Sequence, residues 1–241
     1  MIFHIGTSGW SYHHWKGNFY PDDLSNDQML DFYQQHFNCV EINNSFYHLP
    51  EKKTLLHWYD CVPDDFIFSV KASRYITHMK KLKDPATTLP PFFERVQLLA
   101  DKLGPILFQL PPHWHVNCER LAGFLDTLPS NYRYTFEFRD PSWHCQEVYE
   151  LLCQHNSAFC IFDLDRQLSP KQITAEFIYI RLHGPQGPYQ GQYNTKTLAA
   201  WADAFSNWVK QRKEIFCFFD NDEAGYAAQD AKRLIDMLIM H

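Results

Sequence analysis

The sequence predicts a TIM-type (β/α)8 barrel, an α/β fold of parallel strands, as a single domain over residues 1–241. Three observations favour this fold. The chain has 241 residues, a typical length for such a barrel. Strand-like and helix-like segments alternate along it without a Ser/Gly-rich linker. The strand-like segments repeatedly end in polar or charged residues on the side that should face inward, as expected of strands that converge on one polar mouth.

The strands are predicted from runs of β-branched and aromatic residues at about 2–5, 39–43, 66–71, 105–109, 133–138, 158–162, 177–183 and 215–220. Two of the intervening segments carry clear apolar helical stripes, one with Leu198, Trp201, Phe205, Trp208 and Val209, the other with Ala227, Ala231, Leu234, Ile235 and Leu238. These stripes are predicted to pack helices on the outside of the sheet. No Gly-x-Gly-x-x-Gly turn is present, which disfavours an open dinucleotide-binding sheet.

Composition narrows the class of protein. The net charge of -6 is no global sign of nucleic-acid binding. No apolar run is long enough to span a membrane, and the first residues lack the features of a signal peptide. The seven cysteines include no Cys-x-x-Cys pair and fit a reduced chain. A cytoplasmic protein without a membrane partner is therefore predicted, and the oligomeric state is left open.

The seventh predicted strand shows how the mouth would be built. Phe177, Tyr179, Arg181 and His183 share one face, and aliphatic residues share the other. In a barrel the aliphatic face would meet the helices. The mixed face would line the interior, apolar below and charged at the mouth.

Two carboxylates are candidates for acid/base chemistry at this mouth. Glu41 shares a strand face with Asn43, and Glu137 shares one with Arg139. Two carboxylates that face one pocket can divide the roles of general acid and general base. The alternative is an ion-pair network that only organises loops. The predicted catalytic residues are Glu41, Glu137 and His183.

Cations from three strands predict an anionic substrate bearing phosphate or carboxylate. They are Lys71, Arg139 and Arg181, and they could instead neutralise Glu41, Glu137 and Asp220. Lys71 could also serve as a Schiff-base amine. Asn43, Gln109 and His183 would orient the reacting group. The predicted substrate-binding residues are Asn43, Lys71, Gln109, Arg139, Arg181, Tyr189 and Asn221.

Two further segments have two interpretations each. The basic residues between 71 and 83 would suit a nucleic-acid partner, or they form a solvated face. The Gly- and Tyr-rich segment 183–193 is predicted to be a mobile lid or a plain connection.

The cofactor is left open, with a divalent metal as one alternative. Carboxylate and imidazole side chains at strand ends suit zinc, manganese or magnesium. Candidates are His183, Asp163, Asp220, Glu41 and Glu137, but no tight ligand motif joins them, so no metal ligand is assigned.

Several motifs together resemble the YecE-like family, domain of unknown function 72 (DUF72). They are Gly6-Thr7-Ser8-Gly9-Trp10-Ser11-Tyr12, Val40-Glu41-Ile42-Asn43-Asn44-Ser45-Phe46-Tyr47, Gln109-Leu110-Pro111-Pro112, Phe136-Glu137-Phe138-Arg139, Arg181-Leu182-His183-Gly184 and Asn221-Asp222 with Gly225-Tyr226-Ala227. The resemblance implies a TIM-type barrel and implies no established reaction. One departure is Asp220, where family members usually carry Asn.

The predicted function is an enzyme that acts on a small anionic, phosphate-bearing substrate by carboxylate acid/base chemistry, as a hydrolase or lyase. Two alternatives stay open. One is a metal-assisted hydrolase or isomerase, including a nuclease-like DNA-repair activity. The other is a non-catalytic protein that binds a nucleic acid or a metabolite.

Overall fold

Eight parallel strands form a nearly closed barrel with helices between them. The structure is a computed structural model that describes residues 3–239, so residue 2 of the first predicted strand lies outside it. The strands are β1 (Phe3–Thr7), β2 (Cys39–Ile42), β3 (Ile67–Lys71), β4 (Leu103–Leu110), β5 (Tyr134–Phe138), β6 (Ala158–Leu164), β7 (Gln167–Leu168), β8 (Phe177–Leu182) and β9 (Glu214–Phe219). Apart from β7, their order around the barrel is β1-β9-β8-β6-β5-β4-β3-β2.

The predicted barrel is confirmed, and each of the eight predicted strands is present. The additional strand β7 pairs antiparallel with the end of β6. Asp165 and Arg166 link the two strands with φ angles of 51° and 62°. Two consecutive positive φ angles give the tight turn that joins hairpin strands, and neither residue is a glycine, so this turn was not predicted.

The helices cover the outside of the barrel. They are α1 (Met29–Tyr33), α2 (Lys52–Cys61), α3 (Pro85–Thr88), α4 (Pro90–Val96), α5 (Cys118–Leu125), α6 (Gln146–Gln154), α7 (Thr195–Lys210) and α8 (Tyr226–Ile239). The predicted stripes on α7 and α8 face the barrel, and Trp201, Phe205 and Leu234 are buried there. None of the helices within residues 3–239 combines the length and apolar character needed to cross a bilayer.

The two faces of each strand enter different layers of the core. Outward residues such as Phe68, Phe108 and Phe136 belong to the large core shared with the helices. Inward residues, including Cys39, Leu107 and Phe216, fill the barrel interior below the mouth. Because side chains alternate along a strand, the next inward position towards the carboxyl end opens into the mouth.

Tyr33 closes the seam between β1 and β2, where the strand ladder is incomplete. Its hydroxyl accepts from the Thr7 backbone N–H at 2.9 Å and donates to the Cys39 carbonyl at 3.0 Å. The strands are in close contact here, since a Cβ on Gly6 would lie 2.2 Å from the Cys39 carbonyl oxygen. Further up, the Gly9 N–H donates to the Glu41 carbonyl at 2.8 Å and completes the ring of strands.

Replacing Tyr33 by phenylalanine is expected to destabilise the protein by about 1–3 kcal/mol, because two buried backbone groups lose a partner. Urea unfolding measures this change. Tyr59→Phe is the matched control, since the Tyr59 hydroxyl donates to Asp101 in a solvent-exposed bond, and a change within about 0.5 kcal/mol is expected. Equal losses in the two variants would show that the hydroxyl does not support the seam.

Candidate active site

Arg181 lies at the centre of the barrel mouth and joins three carboxylates. Its side chain is 1% exposed. It donates to Glu41 at 2.8 Å, to Glu137 at 2.9 Å and to Asp220 at 3.0 Å. These residues come from or follow four strands, β8, β2, β5 and β9, so only barrel closure brings them together. The ion-pair network, one of the two predicted interpretations, is therefore present.

The carboxylate of Glu41 is fully buried and surrounded by donors. Ser8 donates from its hydroxyl at 2.7 Å, and Tyr179 donates at 2.6 Å. Arg181 also donates from Nε at 3.1 Å to both oxygens. Ser8 and Tyr179 were not assigned a site role from the sequence. Tyr179 could have been, since it lies two positions before Arg181 on the inward face.

Glu137 is held as an ionised carboxylate. Burial alone would raise its pKa, but the guanidinium groups of Arg139 and Arg181 hold the pKa well below its usual range. Arg139 donates from Nε to one oxygen and Arg181 from Nη1 to the other. A carboxyl group with so low a pKa is a poor proton donor at neutral pH.

His183 is held as a neutral imidazole by its surroundings. Nδ1 lies 3.0 Å from the Asp220 carboxylate. Nε2 lies 3.2 Å from Arg139 Nη2 and 3.3 Å from Arg181 Nη1. Burial and the charge of Arg181 lower the pKa of His183. Since Nε2 faces two donors, the proton is assigned to Nδ1, the ring nitrogen nearer to Asp220.

Asp220 is also held ionised. Burial alone would raise its pKa, but the close contact with His183 at 3.0 Å and the charge of Arg181 lower it. Asp220 thus adds a third carboxylate to the network around Arg181.

Lys71 is the last residue of β3 and lies at the mouth. Unlike Arg139 and Arg181, it is not paired with a carboxylate among the described residues. Its Nζ lies 4.3 Å from the centroid of the Phe46 ring. Within the described chain it makes no ion pair shorter than 4 Å. Burial and the charge of Arg181 lower its pKa to about 8, and the nearby carboxylates only partly offset this. The Ser45 hydroxyl donates to the Lys71 carbonyl at 2.6 Å and so fixes the Phe46 turn against β3.

Lys71, Arg74 and Arg139 form a cationic rim on one side of the mouth. His78 lies close to these cations. Burial and the three positive charges lower its pKa to about 4. The His78 ring packs edge-on against Phe46, with centroids 4.9 Å apart. His78 was not assigned from the sequence, although it belongs to the basic segment that follows Lys71.

The other predicted binding residues have different surroundings. Asn43 Oδ1 is buried without a partner among the described residues. Gln109 pairs in register with Glu137 and is half-buried. The Tyr189 ring packs edge-on against His183, with centroids 5.5 Å apart, and is 46% exposed. Asn221 is buried and donates to the Gly191 carbonyl and to Asp230, which gives it a role in holding the 183–193 segment. Substrate binding by these residues stays a prediction.

The 183–193 segment is tied down at several points. Tyr193 donates from its hydroxyl to Asp163 at 3.0 Å and accepts from the Gly184 N–H at 3.0 Å. The Tyr193 N–H donates to Asp230 at 2.9 Å. These bonds favour a fixed connection over a mobile lid. They also direct Asp163, one of the metal-ligand candidates, towards Tyr193.

No group of three or more His, Cys, Asp and Glu side chains suited to a metal ion occurs within residues 3–239. Three of the five candidate ligands, Glu41, Glu137 and Asp220, contact Arg181. The metal-assisted alternative stays a prediction, and the cofactor stays open.

A groove of about 560 Å³ lies beside the mouth, outside the ion-pair network. It is lined by residues that follow β1 and β2 and by the α1 and α2 side of the barrel, including Trp10, Tyr12, Asn43, His57 and Trp58. Asn43 and Tyr12 join it to the mouth, since the Tyr12 hydroxyl donates to the Ser8 carbonyl at 2.6 Å. The volume is in the range of small-molecule sites.

Comparison with known proteins assigns the family. Residues 4–241 match the family model described as Protein of unknown function DUF72. The chain belongs to the DUF72 family. This DUF72 protein is 24% identical to the UPF0759 protein YunF of Bacillus subtilis, over 98% of the chain and 95% of YunF. It is 32% identical to the UPF0759 protein YecE of Escherichia coli K12, over 59% of the chain and half of YecE.

Solved structures confirm the architecture of this DUF72 protein. A crystal structure of a DUF72 family protein from Thermotoga maritima is similar with a TM-score of 0.89 and 29% identity, over 99% of this chain and 100% of that one. A DUF72 family protein from Enterococcus faecalis gives a TM-score of 0.81 at 20% identity, over 100% of this chain and 96% of that one. The second likeness shows the fold alone.

Proposed function

We propose that this DUF72 protein is an enzyme that binds a small anionic, phosphate-bearing substrate at the barrel mouth and catalyses its hydrolysis or a lyase reaction. The observation that supports the proposal most is the cationic rim beside the buried carboxylates. Lys71 has no carboxylate partner within 4 Å among the described residues. Burial, together with the positive charges of Lys71, Arg74 and Arg139, lowers the pKa of His78 to about 4. A site of this kind attracts an anion and supplies it with charged hydrogen bonds.

Lys71 and Arg139 would bind the anion directly. The Arg139 side chain is 10% exposed. Its Nε donates to Glu137, and its Nη2 lies 3.2 Å from His183 Nε2. Arg181 is buried among three carboxylates, so its contribution would be indirect. It would keep Glu41 and Glu137 in place beside the substrate, and its charge would help to keep Glu137 ionised.

Proton transfer would not be shared between Glu41 and Glu137 alone, as the sequence predicted. Glu137 is held ionised, so it suits stabilisation of positive charge better than proton donation. His183 is neutral, and its Nδ1 lies against Asp220. If the substrate anion draws Arg139 away, Nε2 keeps the longer contact with Arg181 Nη1 at 3.3 Å and becomes better able to accept a proton. His183 would then be the general base, positioned by Asp220.

Lys71→Met and Arg139→Met are each expected to weaken the binding of inorganic phosphate by tenfold or more, because a charged hydrogen bond contributes about 1.5–3 kcal/mol. Calorimetric titration with phosphate measures this loss. Lys53→Met is the control, since Lys53 is 83% exposed and pairs with Glu51 on the surface. Unchanged phosphate affinity in both mouth variants would contradict the anion site.

Measurement of substrate turnover tests whether the protein catalyses a reaction as well as binding an anion. Phosphorylated compounds would be screened for hydrolysis or cleavage, with His183→Asn as the comparison. Loss of turnover with retained phosphate binding would support His183 as the base. Full activity of this variant would assign the proton transfer to another group.

A further inference from the structure

We propose that Lys71 is a nucleophilic amine that forms an imine with a carbonyl group of the substrate. The inference rests on the proposed function, because the same substrate would carry the anionic group held by Arg139. Of the two proposed reactions, an imine favours the lyase reaction. The substrate would be a small aldehyde or ketone that carries a phosphate or carboxylate.

The amine of Lys71 lies where a substrate at the barrel mouth could reach it. Lys71 is the last residue of β3, so its side chain enters the mouth, where active sites of such barrels lie. The amine lies over the Phe46 ring, and the three carboxylates of the mouth are engaged by Arg181. No short ion pair within residues 3–239 therefore fixes Nζ as an ammonium ion. The residue is largely enclosed but keeps some exposure to solvent, through which a substrate could reach it.

Charged groups face the amine of Lys71 from several sides of the barrel. Arg181 on β8 disfavours the ammonium form, while Glu41 on β2, Glu137 on β5 and Asp220 after β9 favour it. Burial decides the balance and gives a pKa of about 8. About half of the Lys71 side chains would be neutral at pH 8, against less than one in a hundred for an ordinary lysine. Arg74, Arg139 and His78 complete the charged and titratable surroundings.

Two other lysines show that burial alone does not produce this arrangement. Lys102 is buried, but its Nζ donates to the carbonyls of Tyr59 and Val62 at 2.8 Å and 2.7 Å. Lys171 also has a pKa lowered by burial, and its Nζ lies 4.2 Å from the Trp201 ring on the outside of the barrel. Lys102 is thus structural, and Lys171 lies away from the rim.

The chemistry requires no oxidant or reductant. The Nζ lone pair attacks the carbonyl carbon, the C=O π electrons move to oxygen, and one proton passes from nitrogen to oxygen to give a carbinolamine. Loss of the hydroxyl group as water, with one proton taken up, gives a protonated imine. The imine withdraws electrons from the neighbouring carbon, so a C–C or C–H bond at that carbon breaks more easily. His183 is the candidate base for this step.

Reductive trapping tests the inference on the unaltered protein. The full chain is incubated with pyruvate or with dihydroxyacetone phosphate and sodium cyanoborohydride, and modified lysines are mapped by peptide mass spectrometry. Lys71 is expected to be modified on the order of tenfold faster at pH 8 than exposed lysines such as Lys53, because far more of it is neutral. Inorganic phosphate should slow the modification of Lys71 but not that of Lys171.

The inference is overturned if Lys71 reacts no faster than the exposed lysines with either ketone. Phosphate titration of the same protein separates the two proposals. Phosphate binding without trapping would keep the anion site and reject the nucleophile, whereas absence of both would reject both. Lys71→Arg, which keeps the positive charge, should lose trapping while it retains phosphate binding.

Discussion

Replacing Arg181 by methionine is expected to lower the free energy of unfolding by about 3–5 kcal/mol at neutral pH. The guanidinium group is buried and donates to Glu41, Glu137 and Asp220. Methionine fills a similar space but leaves three buried carboxylates with less compensating charge. An uncompensated buried charge is far more costly than the loss of a surface ion pair.

Urea unfolding of wild type and variant measures the loss. Arg133→Met is the matched control, since Arg133 pairs with Glu214 but both side chains are more than a third exposed, and a loss of at most about 1 kcal/mol is expected. The deficit of Arg181→Met should shrink as the pH is lowered, because protonation removes the uncompensated negative charges. Similar losses in both variants, or a deficit that does not depend on pH, would contradict the role given to Arg181.

Wild-type protein is expected to lose several kcal/mol of stability between about pH 5 and pH 2, because carboxylates paired in the folded state must take up protons. The folded-state pKa values of Glu137 and Asp220 lie below their usual ranges. Their contribution is therefore fully present above the pKa of the unfolded chain, near 4. It is lost as the pH falls towards the folded-state pKa values.

Urea unfolding over a pH series checks this dependence. Glu137→Gln removes one of the two titrating groups, so its stability should fall less steeply below pH 5. If that variant does not fold, Asp220→Asn gives the same test, because it removes the other titrating carboxylate. Glu94→Gln is the control, because Glu94 pairs with Lys52 at an exposed site. A slope unchanged by both mouth substitutions would show that these carboxylates do not control acid stability.

The barrel could be predicted from the sequence because its signals are local. Period-2 alternation, as in Phe177 to His183, marks a strand and assigns its inward face without knowledge of any neighbour. The helical stripes on α7 and α8 are equally local. The β6–β7 hairpin was missed because Asp165 and Arg166 adopt positive φ angles that these residue types do not signal.

The same local patterns placed the charged residues at the mouth but could not show which of them form pairs. It placed Glu41, Glu137, Lys71, Arg139, Arg181 and His183 at strand ends, and the structure brings all six to the mouth. Which cation meets which carboxylate depends on strand order and register, because the partners come from strands far apart in sequence. Arg181 therefore contacts three carboxylates and Lys71 none within 4 Å among the described residues, although both had the same predicted role.

The sequence by itself determined the fold, the inward faces and the set of charged residues at the carboxyl ends of the strands, because each depends on the pattern within one segment. Only the tertiary structure decided that Tyr33 closes the seam, that Asn221 holds the 183–193 segment and that His78 lies in the field of three cations. Each of these depends on distances between segments. A pKa or a hydrogen bond is set by distances of a few ångströms, which exist only once the barrel has closed.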